Sequence, residues 1–177
     1  MFDYENSQEP ELIRRAKTGD VKAFSRLYAQ IYKDLYKFAL YMTRHPQDAE
    51  DAVSEAVISA YEHISGLKKD SSFRSWMFTI LNNHCKKIRK LGQKEQAKLT
   101  EHLEDRAEAE GHEPDYAQWH DVRRAFEMLD EEDQRIVAFS VFGGYQSEEI
   151  AQMMGKNAAT VRSRKYRALE KMRSALS

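Results

Sequence analysis

Between positions 20 and 43 the apolar residues recur every three or four places: Phe24, Leu27, Tyr28, Ile31, Leu35, Phe38 and Met42. A half-buried strand would alternate, whereas this period sets all seven on one stripe of an α-helix. Tyr32, Tyr36 and Tyr41 widen the stripe, so burial is expected on more than one side. Asp20 stands where a side-chain oxygen can cap the first free backbone N–H groups. Similar spacing recurs before and after. Leu12, Ile13 and Ala16 predict a short helix over 9–18. Pro46 suits the first turn of another helix, running to about Ile64. After a loop at 65–72, Ser71 or Ser72 would cap a fourth helix to about Leu91, with Phe73, Met77, Ile80 and Ile88 inward. Only seven Gly and three Pro in 177 residues leave long helices unhindered. Nothing reads as a strand ladder, so the predicted class is all-α.

The pattern fails over 93–114, which is polar, acidic and poor in aromatics, and is expected to be a flexible, protease-sensitive linker. Periodicity returns with Tyr116, Trp119, Val122, Phe126 and Leu129, then from Ile136 to Phe142, and Gly143–Gly144 breaks the chain again. The expected architecture is two small helical domains, 8–92 and 115–177. Net charge is −1, but it is unevenly spread. Positions 156–173 carry seven Lys or Arg against one acid, and 84–98 carry six against one. Positions 101–121 carry eight acids against Arg106. Two basic stretches around an acidic strip point to a localised polyanion-binding surface and exclude a uniformly basic coat.

The sharpest motif is QSEEIAQMMGKNAATVRSRKYRALEKMR at 146–173. Ser147 is expected to cap a first helix with Glu148 and Glu149 in its opening turn, where the helix dipole favours anions. Gly155 fits a left-handed terminating residue, and Asn157 can cap a second helix. Val161, Ala168, Leu169 and Met172 fall near one apolar face of that helix. Arg162, Ser163, Tyr166 and Arg167 share the other. Two guanidinium forks, a hydroxyl and a phenol can reach base edges and phosphates in a major groove. A solvated surface helix would carry such charges too, but the capped partner helix and the glycine turn favour a helix-turn-helix on DNA.

Two further faces carry chemistry. Asp48, Asp51, Glu55 and Glu62 make an acidic stripe, read either as a solvated face or as a dock for a basic partner helix. Trp76, Thr79, Asn83, Lys86, Lys87 and Lys90 form a stripe suited to stacking on bases and neutralising phosphates of separated strands, although Trp76 taken alone reads more simply as core. No nucleophile elbow, phosphate-cradling glycine loop or zinc motif is evident, so neither an enzyme, nor a cofactor, nor a metal site is expected. His84 and Cys85 point about 100° apart on a helix, poor geometry for one metal. A lone cysteine excludes an internal disulfide and fits a reducing cytosol. No signal peptide or stretch of about 20 apolar residues is seen, so no membrane insertion is expected.

In these stretches the chain resembles the extracytoplasmic-function (ECF) class of the sigma-70 family over nearly its whole length. KTGDVKAFSRLY, DAEDAVSEAVISAYEHI and SSFRSWMFTILNNHCKKIRK look like the family's second domain in order, and 122–173 looks like its fourth. The resemblance implies a cytoplasmic RNA polymerase sigma factor, monomeric when free of partners. Its second domain would dock on the β′ clamp helices through Asp48, Asp51 and Glu55. Its fourth helix and the 65–72 loop would recognise and melt the −10 element, with Trp76, Asn83, Lys86, Lys87 and Lys90. Its fourth domain would meet the β flap and read the −35 element with Arg162, Ser163, Lys165, Tyr166 and Arg167. The linker would thread toward the RNA exit path, and an anti-sigma factor is an expected partner. Three features depart from the family pattern. Ser54 stands where Gln is frequent, Tyr145-Gln146-Ser147 replaces a leucine-serine-tyrosine start, and Lys165 replaces an apolar residue. The competing reading is a stand-alone helix-turn-helix regulator, which would bind a palindrome tightly as a dimer.

Overall fold

A computed structural model describes residues 1–68, 73–99 and 117–177, and among these it contains eight α-helices and no strand. The first four are α1 (Glu9–Lys17), α2 (Val21–Thr43), α3 (Pro46–His63), which ends in a short 3-10 turn (Ile64–Gly66), and α4 (Phe73–Leu99). Then come α5 (Ala117–Glu127), α6 (Glu131–Val141), α7 (Ser147–Met154) and α8 (Ala158–Leu176). The fold is all-α, as the period required.

Local signals act where expected. Asp20 accepts the Ala23 N–H at 3.1 Å and starts α2. The same carboxylate takes the Tyr4 hydroxyl and Arg15 Nε, which ties the N-terminal segment to the α1–α2 corner. Arg44, left-handed at φ 71°, closes α2 one residue before the chain turns into α3, and Pro46 opens α3. Small residues Ala49, Ala52, Ala56 and Ala60 line the buried side of α3, letting it approach α2 and α4 closely.

Three expectations need correction. Helix α4 continues through Leu99, eight residues past its predicted end. The added turns are exposed, but Lys94, Glu95, Gln96, Ala97 and Lys98 are strong helix formers, and the single Gly92 is too weak a breaker to stop them. The first helix of the motif is capped by Gln146 rather than Ser147: the Gln146 N–H donates to the Glu149 carboxylate at 2.7 Å, and Ser147 is buried inside the helix. Leu169 is exposed, leaving Val161 and Ala168 as the buried residues of α8. The proposed Ser71 or Ser72 cap, the 69–72 part of the loop and the linker from 100 to 116 lie outside the described residues.

The two lobes share one core. Phe38 on α2 meets Phe139 on α6 with ring centroids 4.9 Å apart. Tyr41 lies edge-on to Phe126 at 5.2 Å and against Phe142 at 4.8 Å. Phe78 on α4 meets Tyr145 at 5.8 Å. The wide stripe of α2 is thereby explained: one side holds α3 and α4, and the Tyr41 side takes α5 and α6. Tyr32, by contrast, is exposed. Polar groups cross the seam as well. Arg74 donates to Asp34 at 2.9 Å and to the carbonyls of Phe142 and Gly143 at 3.3 and 3.2 Å, with its guanidinium over the Phe78 ring. Arg89 on α4 donates to Gln134 at 3.2 Å, and Gln134, almost wholly buried, returns two bonds to the Phe126 and Leu129 carbonyls. The turn after α6 needs glycine: a Cβ at Gly143 would stand 2.5 Å from the Tyr145 ring, and Gly144 has φ 73°.

Candidate nucleic-acid interface

The helix-turn-helix is assembled from α7 and α8. Gly155 ends α7 in the left-handed region at φ 64°, a conformation that costs a residue without Cβ little. Two residues later the Asn157 side chain accepts the Ala159 N–H at 2.8 Å and starts α8. Ile150, Ala151, Val161 and Ala168 are buried between the two helices and α6, fixing the angle of α8.

Arg162, Ser163, Tyr166 and Arg167 together line one open face of α8. Tyr166 is 68% exposed, so its ring and hydroxyl are open to a partner. Arg167 bonds back to the Ser163 carbonyl at 3.3 Å. Arg162 is paired with Glu148 at the start of α7. The Glu148 carboxyl is held below its ordinary range, first by its own backbone N–H and then by Arg162. In solution that pair is weak, and a phosphate or guanine edge can displace the carboxylate. Lys165 is half-buried beside this face.

Arg164 stands in the middle of the predicted set and does something else. It reaches back to the start of α6, donating to both Asp130 oxygens at 2.9 and 2.8 Å. It also lies in ion contact with Asp133 at 2.8 Å and Glu132 at 3.7 Å. Asp130 is itself the α6 cap, accepting the Asp133 N–H at 2.8 Å. Arg164 therefore clamps the motif to the rest of its lobe. The signal was present in the sequence, because 161, 164 and 168 share the inward face at helical spacing. Lys156 and Lys171 are also engaged, with Glu132 at 3.5 Å and the Met128 carbonyl at 3.0 Å.

On α4, Asn83, Lys87 and Lys90 are exposed and Lys86 is half-buried, so the basic edge of the predicted stripe is open to solvent. Trp76 is half-buried against the core, 6.3 Å from Phe73. On α3, Asp51, Glu55 and Glu62 are exposed and Asp48 is half-buried, with Asp51 accepting a bond from Gln47 at 3.3 Å. Ile58 is 56% exposed on the same helix, giving the acidic face an apolar neighbour that sequence reading passed over. Of the predicted sites, the α8 residues are gathered on one open face. Cys85 is buried, and burial pushes its thiol up to about 12, so it is inert. Among the described residues no group of three His, Cys, Asp or Glu could hold a metal, and no helix is long and apolar enough to cross a membrane.

Comparison with known proteins adds the following. Residues 27–93 match the model of Sigma-70 region 2, and 119–172 match that of Sigma-70, region 4. The RNA polymerase sigma-H factor of Pseudomonas aeruginosa is 28% identical over 181 residues, covering 96% of this chain and 94% of the relative. The ECF RNA polymerase sigma factor SigM of Mycobacterium tuberculosis is 29% identical over 161 residues, covering 90% and 80%. The ECF RNA polymerase sigma-E factor of Escherichia coli is 28% identical over 188 residues, covering 90% and 89%. In three dimensions, CnrH in complex with the cytosolic domain of CnrY aligns with a TM-score of 0.72 at 20% identity, over 95% of this chain and 96% of that one. The sigma factor RpoE in complex with the anti-sigma factor NepR, from Bartonella quintana, aligns at 0.73 and 23%, over 88% and 98%. The fold is thus shared across both lobes.

Proposed function

The chain belongs to the ECF class of the sigma-70 family and is an RNA polymerase sigma factor, and from that premise we propose how its surfaces divide the work of initiation. The lobe at 8–92 docks on the β′ clamp helices of core polymerase through Asp48, Asp51 and Glu55. Helix α4 meets the −10 element, where Asn83 and Trp76 engage unpaired bases and Lys86, Lys87 and Lys90 hold phosphates. The lobe at 115–177 meets the β flap and reads the −35 element in the major groove with Arg162, Ser163, Lys165, Tyr166 and Arg167. The segment at 93–114 connects them along the path of the nascent RNA. The protein works in the cytoplasm, has no catalytic role of its own, and is held in reserve by an anti-sigma factor.

The observation that carries this reading is the open face of α8: an exposed tyrosine between two arginines on a capped second helix, its inward arginine already committed to structure. A reader of base edges needs such a division, because a helix that tilts cannot place a guanidinium fork within hydrogen-bond distance. The test is reconstitution. Purified chain added to core polymerase is expected to give promoter-specific transcription, while free chain binds the same DNA weakly. Tight binding of the free chain to a palindrome, without help from polymerase, would instead support a stand-alone regulator.

A further inference from the structure

Helix α2 is apolar on one side and cationic on the other. Lys22, Arg26, Lys33 and Lys37 recur at spacings of four and seven residues, which at about 100° per residue sets all four within about 60° of arc. Lys22, Lys33 and Lys37 are exposed and Arg26 is half-buried. At about 1.5 Å per residue the row is about 22 Å long. Asp34, the one acid of α2, lies off this row and is held by Arg74 at 2.9 Å. Along one flank runs a ladder of rings: Tyr28 lies edge-on to Tyr32 at 5.6 Å, and Tyr32 stacks on Tyr36 at 6.3 Å. Tyr32 is open to solvent.

Residues 1–8, ahead of α1, close over one end of the row. Arg15 Nε and the Tyr4 hydroxyl share the Asp20 carboxylate, and the Arg15 guanidinium lies 4.0 Å over the Phe2 ring, which pins the segment to the α1–α2 corner. From there Glu5 meets Arg26, with its carboxylate 3.1 Å and its backbone carbonyl 3.3 Å from the guanidinium. The Glu5 side chain is largely exposed, so the pair is weak and another anion can displace it. A groove of about 680 Å³ remains between segment and helix, with Phe2, Tyr4 and Glu5 on one side and Lys22, Ser25 and Arg26 on the other.

We propose that this face of α2 is a contact surface for single-stranded DNA, and that Glu5 stands in for a phosphate at one end of it while the strand is absent. A row of cations neutralises the backbone, and rings beside it stack unpaired bases. A duplex keeps its bases stacked on one another and offers Tyr32 none. Helix α2 packs against α4, the helix already assigned to unpaired bases, yet the assignment of α2 stands on its own residues.

The test is fluorescence anisotropy of the full chain with a short labelled single strand of DNA over a salt series. Lys33→Gln with Lys37→Gln is expected to weaken binding about tenfold or more at low salt and to flatten the slope of log affinity against log salt by about 1.4, two phosphate contacts at about 0.7 each. Tyr32→Ala should lose about fivefold or more, and Tyr32→Phe should keep the parent affinity. Glu5→Gln should tighten binding about two- to fivefold, the span that an exposed ion pair allows. All these variants should keep the parent's helix content by circular dichroism, because the side chains changed are exposed. Lys87→Gln with Lys90→Gln tests α4 separately. If that variant alone loses affinity, the assignment of α2 is overturned and the reading of α4 stands; if only the α2 variants lose it, the reverse holds. The proposal is also overturned if the parent binds no single strand at low salt, if Glu5→Gln fails to tighten binding, if a duplex of the same sequence binds as tightly and is indifferent to Tyr32→Ala, or if an acidic peptide competes on equal terms.

Discussion

At the residue scale, the division of labour on α8 decides which substitutions touch function and which touch the fold. Arg162 and Arg167 face outward, so their loss should spare the lobe and change what it reads. Alanine at either is expected to relax preference at particular −35 base pairs by roughly 1–3 kcal/mol each, as a lost bidentate contact would. Selection of promoter variants with reconstituted holoenzyme measures this, and an unchanged preference in a folded variant would reassign the reading face. Arg164 and Asp130 face the other way. Asp130→Ala removes the α6 cap and a clamp on the motif together, and should cost about 1 kcal/mol or more at neutral pH. The pH dependence has a definite sign. The Asp130 carboxyl is held below its ordinary value, chiefly by the Asp133 backbone N–H; burial opposes this, and Arg164 adds to the lowering. Its contribution is therefore present above the unfolded value near 3.8 and is lost as pH falls through the lower folded value. The gap between parent and Asp130→Ala in a denaturant titration should narrow below pH 4. A gap that stays constant through that range would mean that the carboxylate's charge is not what the cap uses.

At the scale of elements, the helices were legible because their signals are local. Asp20, Pro46, Gly155 and Asn157 act within one turn of themselves, and the 3.6-residue period survives whatever lies beyond it. The errors were also local contests. Gln146 outcompeted Ser147 as a cap because Glu149 reaches back to the Gln146 N–H, and Lys94 to Lys98 carried α4 onward because helix formers need no core to add two turns. The candidate faces on α3 and α4 were legible for the same reason: residues three and four apart share a side. Their roles can be separated by charge. Reversal at Asp51 or Glu55 should leave helix content unchanged, since both are exposed, yet weaken core polymerase binding by more than the roughly 0–1 kcal/mol of an exposed pair, because it replaces attraction with repulsion. Equal affinity in a pull-down would free α3 of that role. Asn83→Ala, exposed on α4, should lower open-complex formation more than closed-complex binding. A fluorescent reporter of unpaired bases at the −10 element distinguishes the two, and full melting by a folded variant would remove Asn83 from the site.

At the scale of the whole molecule, the packed lobes were not legible, because no residue announces which helix it will meet. Phe126, Phe139 and Phe142 belong to the second lobe and cover Phe38 and Tyr41 of the first. The seam is apolar at its centre but imperfect around it. Among the described residues, Arg44 Nε and Arg135 Nε are buried without partners. So is Asn82 Oδ1, one turn along α4 from Phe78. Each such orphan costs on the order of 1 kcal/mol or more. A seam of this kind can open, and opening is what a protein needs if it must touch two separated promoter elements at once. The apparent affinity of such a protein for polymerase is reduced by the fraction of molecules that are open. Arg74 is the polar tie to loosen, since it bonds Asp34 on one lobe and the Phe142 and Gly143 carbonyls on the other while lying over Phe78. Arg74→Ala is therefore expected to lower thermal stability, increase the radius of gyration in small-angle scattering, and tighten binding to core polymerase, three readouts that a merely damaged fold would not move in that combination. A variant that loses stability and binds core polymerase more weakly, with dimensions unchanged, would show that the packed arrangement is not the one that polymerase must open.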